Sequence, residues 1–174
     1  MSLAIRDAVE ADIDPITRIY ATHVVHGTSS FEVEPPSVEE MRRRLRAVTD
    51  RPLPILVADD AGEVVGYSYA SPYRDRPAYR YTLEDSVYVA DKQRGRGIGS
   101  SLVVELVGRC ERVGCRQLIA VIGDSANGAS IAAHARAGFV RVGLLTNVGW
   151  KHGRWLDVVL MQRSLGDGAS TSPH

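Results

Sequence analysis

The sequence has few cysteines, no excess of either charge and no long apolar run. The two cysteines, Cys110 and Cys115, fit neither a redox C-x-x-C pair nor paired zinc ligands, so we interpret them as ordinary reduced thiols. Twenty-one basic residues balance 21 acidic ones, which argues against a general nucleic-acid binder but is compatible with a local basic site. Without a signal peptide or a membrane-spanning run, a soluble cytoplasmic protein is expected.

The residues that are present suit a single folded domain. A chain of 174 residues that is 44% hydrophobic is long enough and apolar enough to bury a core. We predict a domain over residues 1–165 and a disordered tail over residues 166–174, because the tail is small and polar. His23 and His26 stand one helical turn apart, but further ligands do not accompany them, so a metal site is not predicted.

Hydrophobic periodicity and turn residues outline the secondary structure. One helix is predicted from Ile13 with Asp12 as its cap, and another follows the capping box of Ser37 and Glu40. Two more are expected after the glycines near Gly99 and over residues 126–137. Strands are predicted at 3–6, 54–58, 64–69, 82–90, 117–122, 139–145 and 155–162.

The order of these elements predicts the fold class. Strands cluster at both ends of the chain and alternate with helices in the middle, which favours an α/β (α+β) fold with a mixed sheet flanked by helices. Residues 28–33 are compatible with either a loop or an edge strand. Residues 146–154 are predicted to be a polar connection between the last two strands.

A glycine-rich turn is the most informative motif. Arg94-Gly95-Arg96-Gly97-Ile98-Gly99-Ser100 follows an apolar strand and opens an apolar-periodic helix. The N–H groups at a helix start have no intrahelical partner, and glycines let an anion approach them closely. Arg94 and Arg96 can add charge-assisted contacts. The turn therefore predicts a bound phosphate, although a purely structural glycine turn remains an alternative.

Two common phosphate-binding patterns are absent from this turn. The dinucleotide fingerprint G-x-G-x-x-G fails because Ser100 stands where its last glycine should be, and no early βαβ unit precedes it. The P-loop pattern fails because G-K-[ST] does not follow. The failure of these two patterns argues against a dinucleotide and a P-loop nucleotide as the ligand of the turn.

The turn resembles the acetyl-CoA motif of the GNAT family of N-acetyltransferases, and this resemblance covers nearly the whole chain. Within that family the chain is most similar to the phosphinothricin and methionine sulfoximine acetyltransferases. The segments that carry the narrower resemblance are residues 82–89, His134 and residues 149–157.

The resemblance implies a single GNAT domain whose central sheet is splayed in the middle, with acetyl-CoA in the gap and without a metal. It implies cofactor contacts from the strand Val87-Tyr88-Val89, from the turn Arg94 to Ser100 and from Asn127. As a bare sequence fact, Asn127 suits a helix N-terminus equally well.

Acetyl transfer to an amine requires a neutral amine and a stabilised leaving thiolate. By resemblance, Glu84 is the candidate base and His134 the candidate acid, where many GNAT enzymes have tyrosine. The two roles could also be reversed, and either residue could instead be structural. Asp85 points away from Glu84 on a regular strand and is the weaker candidate for the base.

The expected acceptor is the α-amine of a small amino-acid analogue such as phosphinothricin, methionine sulfoximine or methionine sulfone. Arginine forks suit the oxyanions of such molecules. The candidate substrate residues are Phe31, Arg74, Asp75, Arg76, Tyr79, Glu84, Asp85 and Ser86. Two alternatives remain open: an acetyltransferase for another amine (a protein N-terminus or a polyamine) and a non-catalytic acyl-CoA sensor. By analogy with relatives, a homodimer through the last strands and the Trp150 region is also expected.

Overall fold

The computed structural model describes residues 3–173 and consists of a seven-stranded sheet with two helices on each face. In chain order the elements are β1 (Leu3–Asp7), α1 (Ile13–His26), α2 (Val38–Thr49), β2 (Ile55–Asp60), β3 (Glu63–Pro72), β4 (Thr82–Val89), α3 (Ile98–Arg112), β5 (Gln117–Gly123), α4 (Gly128–Arg136), β6 (Val140–Lys151) and β7 (Arg154–Ser164). The strands are in the order β1-β2-β3-β4-β5-β7-β6. The mixed sheet with flanking helices confirms the predicted fold class.

The centre of the sheet is split between β4 and β5. These two strands run parallel, whereas the other neighbouring strands within residues 3–173 are antiparallel. Their pairing runs from Thr82 opposite Gln117 to Asp85 opposite Ala120 and then stops. From Ser86 onwards β4 still pairs with β3, but its other edge faces a gap. The splayed sheet that the resemblance implies is therefore present.

Two apolar layers hold the helices against the sheet. Side chains alternate along each strand, so β2 sends Leu56 and Ala58 to one face and Ile55 and Val57 to the other. The first face packs against α3, and the second packs against α1 and α2. The cysteines lie buried and free in the α3 layer, as reduced thiols.

Two predicted helix caps have different outcomes. Ser37 accepts the Glu40 N–H at 3.1 Å, as predicted, but the Glu40 carboxylate pairs with Arg43 and Arg44 and does not complete a capping box. The carboxylate of Asp12 makes no cap hydrogen bond to α1. It accepts the N–H of Val9 at 2.8 Å and pairs with an arginine of β1, so it fastens the chain that precedes the helix.

The final hairpin is longer than predicted. The segment 146–154 was expected to be a polar connection, but β6 continues through it to Lys151, and only His152 and Gly153 turn the chain. The register shifts between Leu145 and Gly149, so the polar residues there occupy a bulge. Polarity marked the bulge and the exposed strand edge, which sequence reasoning mistook for a loop.

The C-terminal segment is bonded to the domain. The Arg116 guanidinium donates to the Gly168 carbonyl oxygen at 3.3 Å and to the Thr171 hydroxyl at 3.0 Å. Turns cover residues 166–170. The sequence predicts a disordered tail over residues 166–174, and in the described part of this segment Arg116 offers donors to polar atoms.

Candidate active site

The gap between β4 and β5 is a cleft, and its two sides differ in character. On one side lie Ser86, Val87 and Tyr88 of β4, whose backbone edge lacks a strand partner there. On the other side lie residues 120–123 of β5 together with the start of α4. An extended ligand could pair with the open edge of β4 as an added strand would.

The glycine turn stands at one end of β4 and leads directly into α3. Gly95 and Gly97 both have left-handed backbones, with φ of 78° and 79°. A Cβ built at either position would meet no atom within 4 Å, so the space beside them is open. The N–H groups of Ile98, Gly99 and Ser100 precede the hydrogen bond from Ser101 to the Gly97 carbonyl oxygen, so they have no intrahelical acceptor. This geometry fits the pyrophosphate of a coenzyme.

The two arginines of the turn already have acidic partners. Arg94 pairs with Asp91 at 2.5 Å, one turn earlier. Arg96 pairs with Asp60 of β2 at 3.0 Å and also contacts the Gln93 amide oxygen. Both guanidinium groups are exposed, although Asp60 is largely covered, so a phosphate could compete for them, and for Arg94 at small energetic cost.

Asn127 stands at the far wall as the N-cap of α4. Its side-chain oxygen accepts the Ser130 N–H at 3.2 Å. The helix-terminal interpretation of Asn127 is thus confirmed, and its position in the cleft wall keeps the predicted cofactor contact available.

Glu84 lies on the α1 side of β4 and is half-buried. Burial raises the pKa of its carboxyl above the usual 4.5; the charge of Asp85 adds to the shift, and that of Arg74 opposes it. A carboxylate that is costly to keep ionised is a better proton acceptor than a solvated one. These features suit the predicted base.

Asp85 and His134 form a buried pair on the other face of β4. Nε2 of His134 lies 2.8 Å from Oδ2 of Asp85, and Nδ1 lies 2.7 Å from the Ser130 carbonyl oxygen. Burial alone would lower the pKa of His134, but the hydrogen bond and charge of Asp85 raise it overall. Sequence reasoning placed Asp85 among the substrate residues. Its side chain instead contacts His134, because alternate residues of a strand face opposite sides.

The predicted substrate residue Phe31 lies in the loop between α1 and α2. Its ring fits against the backbone of Gly149 in β6 and of Gly123 in β5, where any side chain would collide with it. The loop has no strand pairing, so residues 28–33 form a loop and not an edge strand. Neighbouring Ser29 reaches the cleft wall.

The connection before β4 carries the remaining predicted substrate residues. Arg74 lies 5.0 Å above the Tyr73 ring, and its charge acts on Glu84. The rings of Tyr73 and Tyr79 meet edge to face at 5.6 Å. Asp75 and Arg76 are exposed beside them. The structure therefore brings Arg74 towards the candidate base and leaves Asp75 and Arg76 in solvent.

Sequence reasoning missed the residues that fasten the loop of Phe31. Nζ of the buried Lys151 donates to the Ser30 carbonyl oxygen at 2.6 Å. Thr28 donates to Asp124 at 2.9 Å, and Arg154 pairs with the same carboxylate at 2.7 Å. Ser30 is 121 positions from Lys151, and Thr28 is 96 positions from Asp124, so no local pattern indicates these contacts.

His23 has a structural role that its spacing to His26 did not indicate. Its Nε2 donates to the Val89 carbonyl oxygen at 2.9 Å, and Nδ1 lies 3.1 Å from the Ser29 hydroxyl. Burial lowers the pKa of His23, so the ring is held neutral. It joins α1 to the end of β4 beside the cleft. Among residues 3–173, no group of three or more potential ligands is placed to hold a metal ion, and no helix is long and apolar enough to cross a membrane.

Fold, cleft and glycine turn together define an acetyltransferase. The sequence model of the acetyltransferase (GNAT) family matches residues 19–139, and the chain belongs to this family. It is 52% identical to the phosphinothricin N-acetyltransferase of Alcaligenes faecalis over 97% of this chain and 86% of the relative. It is 41% identical to the L-methionine sulfoximine/L-methionine sulfone acetyltransferase of Pseudomonas paraeruginosa over 95% and 96% of the two chains.

A solved structure shows the same architecture with a ligand bound. The phosphinothricin acetyltransferase from Sinorhizobium meliloti, in complex with AcCoA, superposes with a TM-score of 0.96 at 48% identity. The match covers 100% of this chain and 94% of that one. The resemblance inferred from the motifs is confirmed.

Proposed function

We propose that this protein transfers the acetyl group of acetyl-CoA to the α-amine of a small amino-acid analogue of the phosphinothricin or methionine sulfoximine type. The observation that carries the proposal is the cleft, which has an open glycine turn at one end and a half-buried carboxylate on the strand that forms its wall. The named activities of the two relatives and the cofactor of the solved neighbour support it.

Different residues of the cleft bind different parts of acetyl-CoA. The amides of Gly95 to Ser100 hold the pyrophosphate, with Arg94 and Arg96 beside it. The open edge of Val87, Tyr88 and Val89 pairs with the pantetheine arm, and Asn127 lines the opposite wall. When bound, acetyl-CoA supplies the acetyl group as a thioester.

The reaction requires one proton to move from nitrogen to sulfur. Glu84 accepts the amine proton as the C–N bond forms, and His134 gives a proton to the sulfur as the C–S bond breaks. Glu84 then loses its proton to solvent and His134 regains one, which restores the enzyme. Direct attack needs no covalent enzyme intermediate, so the buried cysteines take no part.

The acceptor side suits a small anionic amino acid. Arg74 stands near Glu84 and offers a fork for a carboxylate, phosphinate or sulfone, and Phe31 closes the loop side. Asp75, Arg76, Tyr79 and Ser86 complete the proposed set. A cationic polyamine would meet the arginines of this connection, which disfavours that alternative.

An amine panel tests the proposal. The protein is incubated with acetyl-CoA and with phosphinothricin, methionine sulfoximine, methionine sulfone, spermidine and an alanine-initiated peptide, and released thiol is followed. We expect turnover with the three amino-acid analogues. Turnover confined to spermidine or the peptide would contradict the proposed acceptor, and tight acetyl-CoA binding without any turnover would support a non-catalytic sensor.

We also propose a homodimer formed by the face of β6. This strand is at the edge of the sheet and exposes apolar side chains along its length. Those more than about two-fifths exposed on β6 and the adjoining start of β7 are Val140, Val142, Leu144, Leu145, Val148, Trp150 and Trp155. Such a concentration on one strand is typical of an interaction surface, and a second copy of the chain is the occupant that we propose.

A further inference from the structure

The buried pair of Asp85 and His134 leaves the histidine ring without a free acceptor. His134 is 2% exposed and Asp85 6% exposed. At Nδ1 the partner is a backbone carbonyl oxygen, which can only accept, so Nδ1 must carry a hydrogen. At Nε2 the partner is a carboxylate oxygen, which also accepts when it is ionised. An ionised Asp85 therefore requires a hydrogen on both ring nitrogens.

We propose that Asp85 is a positioning residue that holds His134 as a doubly protonated imidazolium, so that His134 cannot be the base of the cleft and acts as an acid only by releasing one of these two hydrogen bonds. The inference rests on the proposed acetyl transfer and deepens it, because it decides between two roles that the sequence leaves open. Asp85 touches neither substrate nor cofactor in this assignment. It acts through the histidine.

The surroundings of the pair support the charged form. The carbonyl of Ser130, on α4, faces Nδ1 and favours the protonated ring, and the Ser130 hydroxyl lies 3.4 Å from the same nitrogen. The ring of Phe139 meets the imidazole edge to face at 5.1 Å. From α3, Cys110 faces Asp85, but burial raises the pKa of its thiol, so it stays neutral.

The second oxygen of Asp85 bears on whether the pair is ionised or neutral. Among the described residues, Oδ1 has no hydrogen-bond partner. A neutral pair, with the proton on Asp85, would place two uncharged groups here and would free Nε2 to accept. An unpartnered buried oxygen costs more on a carboxylate than on a neutral carboxyl, and in the ionised pair the adjacent imidazolium charge offsets this cost.

The pair also fits the placement of the candidate base and the candidate acid on opposite sides of β4. Glu84 and Asp85 are neighbours whose side chains face opposite sides of the strand. The charge of Asp85 raises the pKa of Glu84 as well as that of His134. One buried carboxylate thus makes the candidate base more basic and keeps the candidate acid protonated.

Nitrogen-15 NMR of the histidine-labelled protein tests the protonation state without any need for turnover. We expect both ring nitrogens of His134 to report as protonated at neutral pH. Asp85→Asn keeps the size and an acceptor oxygen but removes the charge, so the midpoint of His134 should fall by about 1–3 pH units. An unprotonated Nε2 at neutral pH in the unmodified protein would overturn the proposal, even if the variant failed to fold.

Kinetics provide a second readout. If the proposed function holds, Asp85→Asn should lower kcat with little change in the KM for acetyl-CoA, and the falling limb of kcat should move to lower pH. Loss of affinity with an unchanged pH profile would show a merely structural Asp85. Absence of turnover in the unmodified protein would count against acetyl transfer, while the NMR result would still decide the state of His134.

Discussion

At the scale of single residues, Glu84 has a carboxylate whose ionised form is disfavoured by burial, and it lies beside the cleft. Its carboxyl has a raised pKa, so the base form is lost as the pH falls through a value above the usual 4.5. We therefore predict that kcat/KM rises with pH over this range. Glu84→Gln should remove this rise of kcat/KM with pH and lower the maximum kcat/KM by roughly 10²- to 10⁴-fold, as expected for loss of a general base.

The control for this prediction separates chemistry from folding. Because the folded state raises the pKa of Glu84, its charge opposes folding at neutral pH, so Glu84→Gln should not lower the melting temperature. Glu63→Gln, at the exposed start of β3, should leave both activity and stability unchanged. A normal pH–rate profile in Glu84→Gln would remove Glu84 from the mechanism.

Residue identities were more predictable than residue partners. Glu84 and His134 stand out in the sequence because of their place in recognisable motifs. The contact between His134 and Asp85 joins residues 49 positions apart, and Lys151 reaches Ser30 across 121. Such contacts depend on which strands become neighbours, and side-chain types alone do not specify that.

At the scale of elements, the start of α3 requires its glycines. Gly97→Ala would place a side chain in a left-handed backbone at a cost of about 1–2 kcal/mol, and its Cβ would occupy the open space of the phosphate cradle. We predict weaker acetyl-CoA binding, measured by calorimetry.

Gly114 provides the matched control for this prediction. It follows α3, has a φ of 84° and likewise has no atom within 4 Å of a built Cβ. Gly114→Ala should therefore lose a similar amount of stability while binding acetyl-CoA normally. Equal affinities for the two variants would mean that the cradle lies elsewhere.

Gly149 in β6 tests the position of the loop between α1 and α2. A Cβ at Gly149 would overlap the Phe31 ring, whereas a Cβ at Gly143 of the same strand would meet Leu160 at an ordinary 3.5 Å. Gly149→Ala should displace the loop and raise the KM for the amine, with a loss of about 1–3 kcal/mol in stability. Gly143→Ala should change neither. A normal amine KM in Gly149→Ala would exclude the loop from the acceptor site.

Element types were predicted well, and their ends less well. Among residues 3–173, periodicity identified all seven strands and all four α-helices, because each buries one face or one stripe. It failed in the final hairpin, where β6 runs to Lys151 through a bulge. Bulge residues face solvent and break the alternation, so they have the polar character of a loop.

At the scale of the whole molecule, the apolar face of β6 predicts self-association. We expect sedimentation to give twice the mass of one chain. The double change Val142→Lys and Leu144→Lys should yield monomers, because both side chains are exposed in the single chain and charges would be buried in the dimer. Val104→Lys, on the exposed side of α3, is the control and should remain dimeric. A monomeric unmodified protein would contradict the proposal.

The elements, the glycine turn and the family can be recognised from the sequence alone, because they depend on local periodicity and on residues that are close together in the chain. The assembly of the site depends on contacts between residues that are far apart in the chain. The tertiary structure paired Asp85 with His134, fastened the loop of Phe31 through Lys151 and opened the cleft after Asp85. The physical reason is that strand order and register bring distant residues within hydrogen-bond distance.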